Sequence, residues 1–177
     1  FTPQLINLLW KDYTDSVAAG ADPAALRAQF QGRLGPRLTS LNVGGALPHP
    51  AVMRWPRETF PLTRITENYG IPEAGGVTAR TPRGVRAGGD AKLVDWMEYR
   101  RSDVPFPRGE ICVRTTEMVA GYLNRPDLTA EVFDADGYFH TGDIGELIDA
   151  GGQQIINVVD RKKSFFKLSN GEWVSPE

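Results

Sequence analysis

A change in hydrophobic periodicity after Gly75-Gly76 restricts the fold more than any other feature of the sequence. Before this point, stretches with apolar residues three or four positions apart alternate with short runs of strand type. Helices are predicted at 4–19, from the Asp22-Pro23 cap to Gly32 or Gly35, and around 49–57, and strands at 37–43 and 62–66. Alternating helices and strands are typical of an α/β layer structure, which we expect for residues 1–76.

The sequence after residue 76 is rich in strand patterns and turn residues. Strands are predicted at 91–96, 110–115, 144–148 and 154–159, turns at 82–84, 88–90 and 107–109, and a hairpin loop at 149–152. One short helix is expected at 129–133, after Pro126 and with Asp127 in its first turn. After Asp160 the run RKKSFFKLSNGEW changes character again and begins with three adjacent basic residues. We therefore expect a β-rich part at 77–160 and a separate C-terminal part at 161–177.

Composition excludes several classes of function. The 20 basic and 22 acidic residues give a net charge of −2, which predicts neither a nucleic-acid partner nor attraction to an anionic membrane. No run of apolar residues is long enough for a transmembrane segment. The single cysteine, Cys112, excludes an internal disulfide framework and a cysteine-based zinc cluster, and it suits a reducing, cytoplasmic location.

Common catalytic and phosphate-binding motifs are missing from the sequence, among them GxxxxGK[ST], GxGxxG, HExxH, CxxC and GxSxG. Four other stretches combine glycines, aromatic residues and carboxylates, and they lie at 43–48, 67–73, 109–143 and 158–172. Each has an ordinary interpretation as a turn, a packed aromatic residue or a solvated charge. We expect 67–73 to be a loop.

In this order, the stretches resemble the adenylate-forming superfamily, which includes acyl-CoA synthetases, adenylation domains and firefly luciferase. The motifs that carry the resemblance are DGYFHTGDIGEL and, upstream, GYLNRPDLTAEVF. The segments KLVDW, GEICVR and VVDRKKSFFKLSNGEWVSPE are most similar to long-chain fatty acyl-CoA synthetases, followed by the adenylation domains of carboxylic acid reductases. The resemblance implies the C-terminal part of the family's large domain, with an α/β layer and then a distorted β-barrel, ending just past the interdomain hinge. Residues 161–177 would then hold the hinge and the first strands of a truncated small C-terminal domain.

The resemblance assigns five residues to adenine. Gly44, Gly45 and Ala46 match the segment whose backbone lies against the base, and Glu67 matches the polar position that meets the amino group. Tyr69 matches the aromatic residue that stacks on adenine. Stacking of a base on an aromatic side chain contributes about 1–3 kcal/mol.

Further residues are assigned to the metal, the ribose and the moving domain. Glu73 matches the carboxylate that binds Mg²⁺, an ion that prefers hard oxygen ligands. Asp143 and Arg161 match the residues that bind the ribose, whose two hydroxyl groups suit an acceptor-only carboxylate. Lys163 falls on the hinge position, and Gly171 falls in the loop of the thiol-acceptor tunnel.

The implied reaction is activation of a fatty or aromatic carboxylic acid with ATP and Mg²⁺, giving acyl-AMP and then a thioester. Two acceptors stay open, CoA and the phosphopantetheine of an acyl or peptidyl carrier protein. The phosphate loop and the lysine of the small domain have no counterpart in the sequence, so we expect a piece of a longer protein that is inactive alone. No residue is assigned as catalytic.

One departure supports an alternative. The family loop reads Tyr-Gly-x-Thr-Glu, and Pro72 stands where the threonine hydroxyl would hold the α-phosphate. Proline offers neither a hydroxyl group nor an N–H. The alternative is a degenerate, non-catalytic adenylation-like domain that serves binding or scaffolding.

Overall fold

The computed structural model describes residues 1–45, 49–81, 84–87, 89–149, 154–167 and 173–174. The chain divides into two compact units. The first unit comprises Phe1–Tyr69 and Ala79–Gly84, and the second comprises Gly70–Thr78 and Val85–Glu177.

The first unit contains the alternating helices and strands that the sequence predicts. Its elements are α1 (Pro3–Ala18), α2 (Pro23–Leu34), β1 (Ser40–Gly44), α3 (Pro50–Thr59) and most of β2 (Arg64–Ile71). Each helix begins with a side-chain cap followed by proline, and the caps are Thr2, Asp22 and His49. Proline suits the first helical position because its missing N–H would have no partner inside the helix. The Asp22 cap is confirmed, and α2 ends at Gly35 with φ +100°.

Two clusters of buried side chains hold the first unit together. Strands β1 and β2 are parallel, and their inward residues pack against α1 and α3 in one cluster that contains Ile6, Leu41, Val43, Val52, Met53 and Ile65. The second cluster is aromatic. The Trp55 ring lies 5.2 Å from that of Phe30 and 6.4 Å from that of Phe60, centroid to centroid. Edge-on packing of this kind suits the charge distribution of aromatic rings.

Strand β2 corrects the prediction of a loop at 67–73. It runs to Ile71, so only Pro72, Glu73 and Ala74 form a turn before β3 (Gly75–Thr81). The Ala74 N–H donates to the Ile71 carbonyl oxygen at 3.2 Å, and proline is favoured at the second position of such a turn. Single-sequence patterns underestimate β2 because its glycine and asparagine are typical of turns. With β4 (Gly84–Ala87), these strands form a sheet in the order β1-β2-β3-β4.

The second unit is built on an antiparallel sheet of four strands in chain order. They are β5 (Asp90–Val94), β6 (Arg108–Arg114), β7 (Phe139–Asp149) and β8 (Gln154–Arg161), with α4 (Pro126–Val132) between β6 and β7. Strand β6 pairs on both sides and is buried from Gly109 to Val113. The predicted strands and the predicted short helix are confirmed, although β7 is longer than predicted and β3 and β4 were missed.

The C-terminal segment begins with a 3-10 helix, Lys162–Ser164, and continues with β9 (Phe166–Lys167), which pairs antiparallel with β10 (Trp173–Val174). Phe165 is buried, and its ring centroid lies 5.0 Å from that of Trp96. Among the residues that the structure describes, no helix is long and apolar enough to cross a membrane. The predicted turn at 82–84 and loop at 149–152 fall largely outside the described residues, as do Ala46 and Gly171.

Candidate nucleotide-binding site

Two glycines at the carboxyl end of β1 are the first residues that the resemblance assigns to adenine. Gly44 pairs with Asn68 of β2, and a Cβ on Gly44 would lie 3.2 Å from the Asn68 carbonyl oxygen. Gly45 follows with φ +97°, a conformation that favours glycine. Ligands of open α/β sheets bind outside the carboxyl ends of the strands. This end of β1 therefore offers bare backbone where a flat ligand is expected.

Glu67 and Tyr69 lie two positions apart in β2 and so share one face of the strand. Both are half-buried. The Glu67 carboxylate forms an ion pair with Arg57 of α3, a partner that the sequence analysis did not identify. An ionised carboxylate only accepts hydrogen bonds, and the adenine amino group donates them, so Glu67 has the polarity that its assigned role requires.

Glu73, the predicted metal ligand, lies in the turn between β2 and β3 and is half-buried. The Tyr122 hydroxyl donates to Glu73 Oε1 at 2.9 Å, and the Val119 N–H donates to the Glu73 carbonyl oxygen at 2.9 Å. Partial burial and this hydrogen bond raise the pKa of Tyr122 above its ordinary value. Tyr122 belongs to the motif GYLNRPDLTAEVF, in which the resemblance assigns it no role, and the structure places it as the residue that orients the Glu73 carboxylate.

Asp143 and Arg161 face each other across β7 and β8, and Asp143 Oδ1 lies 3.5 Å from Arg161 Nε. Asp143 is buried, whereas the Arg161 side chain is 68% exposed. The Asp143 N–H donates to Thr141 Oγ1 at 3.1 Å. A buried carboxylate beside an exposed guanidinium group is suited to accept hydrogen bonds from a sugar diol while its charge is balanced.

Asp143 lies in an irregular stretch of β7. Strands β6 and β7 pair at Glu110–Ile144 and again at Cys112–His140, so Thr141, Gly142 and Asp143 lie opposite the single residue Ile111. Gly142 has φ +73°. Bulges of this kind redirect side chains and are common beside active sites.

A polar cluster centred on the buried Glu110 lies next to this bulge, and the sequence analysis did not identify it. Glu110 Oε2 lies 2.8 Å from His140 Nδ1 and 2.9 Å from Lys162 Nζ, and the Gly142 N–H donates to Glu110 Oε1 at 3.3 Å. Cys112 Sγ lies 3.4 Å from the same histidine nitrogen. Burial, with a smaller effect of the Glu110 charge, raises the pKa of Cys112 to about 12. The only sequence signal was the period-two spacing of Glu110 and Cys112 in a strand.

The structure thus places most of the assigned residues in small groups, each within one unit. Glu67 and Tyr69 lie on one face of β2 in the first unit, and Asp143 contacts Arg161 in the second unit. Glu73 is held by Tyr122, also in the second unit. Lys163, the predicted hinge residue, is exposed within the 3-10 helix Lys162–Ser164.

The chain is similar to carboxylic acid reductases and to long chain acyl-CoA synthetases. Carboxylic acid reductase of Mycobacterium tuberculosis is 36% identical over 190 residues, covering 99% of this chain and 16% of that protein. The peroxisomal long chain acyl-CoA synthetase 6 of Arabidopsis thaliana is 38% identical over 160 residues, covering 84% of this chain and 22% of that protein. The chain therefore spans less than a quarter of the length of either relative.

A solved structure matches almost the whole chain. The A domain of carboxylic acid reductase from Segniliparus rugosus, in complex with AMP and a co-purified carboxylic acid, superposes with a TM-score of 0.82 at 30% identity. The match covers 99% of this chain and 28% of that one. The chain is thus a mixed α/β fragment that aligns with an adenylation domain. The family described as AMP-binding enzyme matches residues 1–123, and the chain belongs to that family.

Proposed function

We propose that the chain is part of an enzyme that activates a carboxylic acid with ATP, forming acyl-AMP and pyrophosphate and then a thioester. The observation that carries the proposal is the Asp143–Arg161 pair, in which a buried carboxylate lies in a bulge beside an exposed guanidinium group. This arrangement has the charge and the exposure expected of a ribose-binding site. The AMP in the related Segniliparus structure supports the same assignment.

The other proposed contacts with the nucleotide come from the family resemblance, and the chemistry of the described residues supports them. Gly44 and Gly45 would approach the adenine through their backbone, Glu67 would accept from the amino group, and Tyr69 would stack on the ring. A Cβ on Gly44 would lie 3.2 Å from the Asn68 carbonyl oxygen, so packing against the neighbouring strand accounts for this glycine, and its adenine contact is proposed from the resemblance. We propose that Ala46 also contacts the adenine and that Arg161 contacts the ribose.

Glu73 fits the proposed magnesium site in its donor chemistry. Its carboxylate supplies a hard oxygen ligand, and Mg²⁺ often takes only one or two protein carboxylates. When bound, the ion would offset negative charge on the phosphates. The chain's own contribution is to hold Glu73 in place through the Tyr122 hydroxyl and the Val119 N–H.

The finer assignments extend the proposal to the rest of the reaction. The acid is fatty or aromatic, and the acceptor thiol belongs to CoA or to a phosphopantetheine carrier protein. We propose the domain boundaries 1–76, 77–160 and 161–177, with a distorted β-barrel in the second segment and the hinge at Lys163. A cytoplasmic location remains a prediction.

Pro72 favours a second candidate, a non-catalytic binding or scaffolding domain. The turn that contains Pro72 is well suited to proline. Its lack of a hydroxyl group removes one proposed phosphate contact, with a loss of about 1.5–3 kcal/mol if that group bonded a charged oxygen. The intact positions at Glu73, Asp143 and Arg161 favour the enzyme.

Carboxylate-dependent ATP–pyrophosphate exchange by the full-length protein tests the proposal. Fatty and aromatic acids are compared for the wild type, for Glu73→Ala and for the control Glu98→Ala, an exposed glutamate of the second unit. We expect exchange that survives in the control and is lost in Glu73→Ala. A folded protein without exchange for any acid would favour the binding domain.

A further inference from the structure

Buried Glu110 occupies an unusual position for a carboxylate. It lies in β6, which pairs on both sides, and is 4% exposed. A buried charge is costly unless hydrogen bonds and an opposite charge compensate it. The described residues supply three such partners, namely His140, Gly142 and the ammonium group of Lys162.

The three partners of Glu110 lie next to the proposed ribose-binding pair. His140 and Gly142 precede Asp143 in β7, and Lys162 follows Arg161 at the end of β8. One carboxylate therefore contacts the chain just before Asp143 and just after Arg161. A substitution of Glu110 is therefore expected to alter the positions of both Asp143 and Arg161, since each is directly bonded in the chain to a residue that Glu110 contacts.

The bulge in β7 explains why a side chain is needed here. Thr141 to Asp143 lie opposite Ile111, so these residues lack regular ladder pairing with β6. The Thr141 hydroxyl donates to the Ile111 carbonyl oxygen at 2.8 Å, and Glu110 Oε1 accepts from the Gly142 N–H. These side chains replace ladder hydrogen bonds and fix the direction in which the strand presents Asp143.

We propose that Glu110, with Lys162 as its counter-ion, is a positioning residue that sets the geometry of the Asp143–Arg161 pair for ribose. The inference rests on the proposed nucleotide-binding function. Glu110 does not contact the nucleotide itself. It acts through Gly142 and Lys162, and its loss leaves the ribose-binding residues present but misdirected.

A metal ion is the competing interpretation of the same cluster. Ligand atoms of Glu110, Cys112 and His140 lie within 4.8 Å of one another. Two observations favour the ammonium group as the resident cation. Lys162 Nζ already lies 2.9 Å from Glu110 Oε2, and His140 Nδ1 lies 2.8 Å from the same oxygen.

The test compares AMP with 2′,3′-dideoxy-AMP, which lacks both ribose hydroxyl groups. Dissociation constants are measured by calorimetry for the full-length wild type, Glu110→Gln and Lys162→Met. Lys92→Met is the matched control, because it breaks another lysine–carboxylate pair whose lysine lies in the same sheet, that of Lys92 in β5 with Asp134 at 2.7 Å.

We expect the wild type and the control to prefer AMP by roughly tenfold or more, as expected for hydrogen bonds to a charged acceptor. Glu110→Gln and Lys162→Met should lose most of this preference while binding the dideoxy nucleotide as before. General destabilisation of the protein would instead weaken the binding of both nucleotides together. Lys162 is half-buried rather than buried, so its variant keeps the test decisive if Glu110→Gln does not fold.

The failing outcomes are distinguishable. Unchanged preference in both folded variants overturns the positioning role and leaves the proposed function standing. No preference in the wild type overturns the ribose assignment and the inference with it. Stoichiometric binding of Zn²⁺ to the wild type that disappears in Cys112→Ala would identify the cluster as a metal site and overturn the role of Lys162.

Discussion

Replacing Asp143 with asparagine should weaken nucleotide binding much more than it weakens the fold. The substitution keeps the size of the side chain and one acceptor oxygen, but it removes the charge. Hydrogen bonds to a charged group contribute about 1.5–3 kcal/mol. Because the asparagine side chain would keep one neutral acceptor, the lower end applies, and AMP affinity should fall roughly tenfold.

The expected cost in stability follows from the partner's exposure. Arg161 is 68% exposed, so water and salt screen its interaction with Asp143. Exposed ion pairs contribute roughly 0–1 kcal/mol. The Asp143 N–H bond to Thr141 Oγ1 involves the backbone and survives the substitution. The free energy of unfolding of Asp143→Asn should therefore lie within about 1 kcal/mol of the wild type.

Calorimetric titration with AMP and urea unfolding of the same samples measure the two effects. Asp127→Asn is the control, because Asp127 forms an exposed pair with Arg125 at 2.6 Å, on the surface of α4. AMP affinity that stays within about twofold in a folded Asp143→Asn protein would refute the ribose role. A loss of stability beyond about 2 kcal/mol would show that the carboxylate is mainly structural.

Three further predictions concern stability. Thr59→Val should raise the free energy of unfolding by about 1 kcal/mol, because the buried Thr59 hydroxyl has no hydrogen-bond partner among the described residues; lower stability in urea would contradict this. Gly70→Ala should cost about 1–3 kcal/mol in thermal unfolding, since its Cβ would overlap the Gly75 carbonyl oxygen, whereas Gly76→Ala meets nothing within 4 Å and should be tolerated. Burial raises the pKa of Cys112 from 9.0 to about 12, so the folded state holds this proton more tightly than the unfolded state. The stabilisation of the folded state by the protonated Cys112 thiol is therefore complete below pH 9 and is lost as the pH rises toward 12. Relative to Cys112→Ala, the free energy of unfolding should fall by up to about 1.4 kcal/mol per pH unit in that range. A constant difference between the two proteins would contradict the pKa shift.

Much of the fold was predictable where the determining interactions are local. The start of α2 depends on Asp22 and Pro23, which act on backbone groups within three residues. Strands β5 to β8 follow from apolar runs bounded by turn residues. Strand β2 was underestimated because its second half is stabilised by pairing with other strands, and its Asn68, Gly70 and Ile71 give no clear strand pattern.

The candidate site divides in the same way. Its assigned residues came from a resemblance in ordered motifs, which identifies positions without giving their contacts. Arg57 and Tyr122 reach their partners only in the folded chain, through tertiary contacts. The hydrogen bond between Tyr122 and Glu73 joins residues 49 positions apart. Glu110 was missed because a glutamate in a strand is normally exposed, and only the pairing of β6 with β7 shows that it is buried.

The chain-order arrangement of β5 to β8 has a consequence for synthesis on the ribosome. Strand β6 ends at Arg114, and β7, its neighbour on the side away from β5, begins at Phe139. One edge of β6 therefore stays unpaired while the intervening segment is synthesised. At about 5–20 residues per second, this interval lasts roughly 1–5 s. During it the nascent chain presents an unpaired hydrophobic edge, the condition that favours aggregation and chaperone capture. We expect slower translation through the α4 region to lower the yield of folded protein.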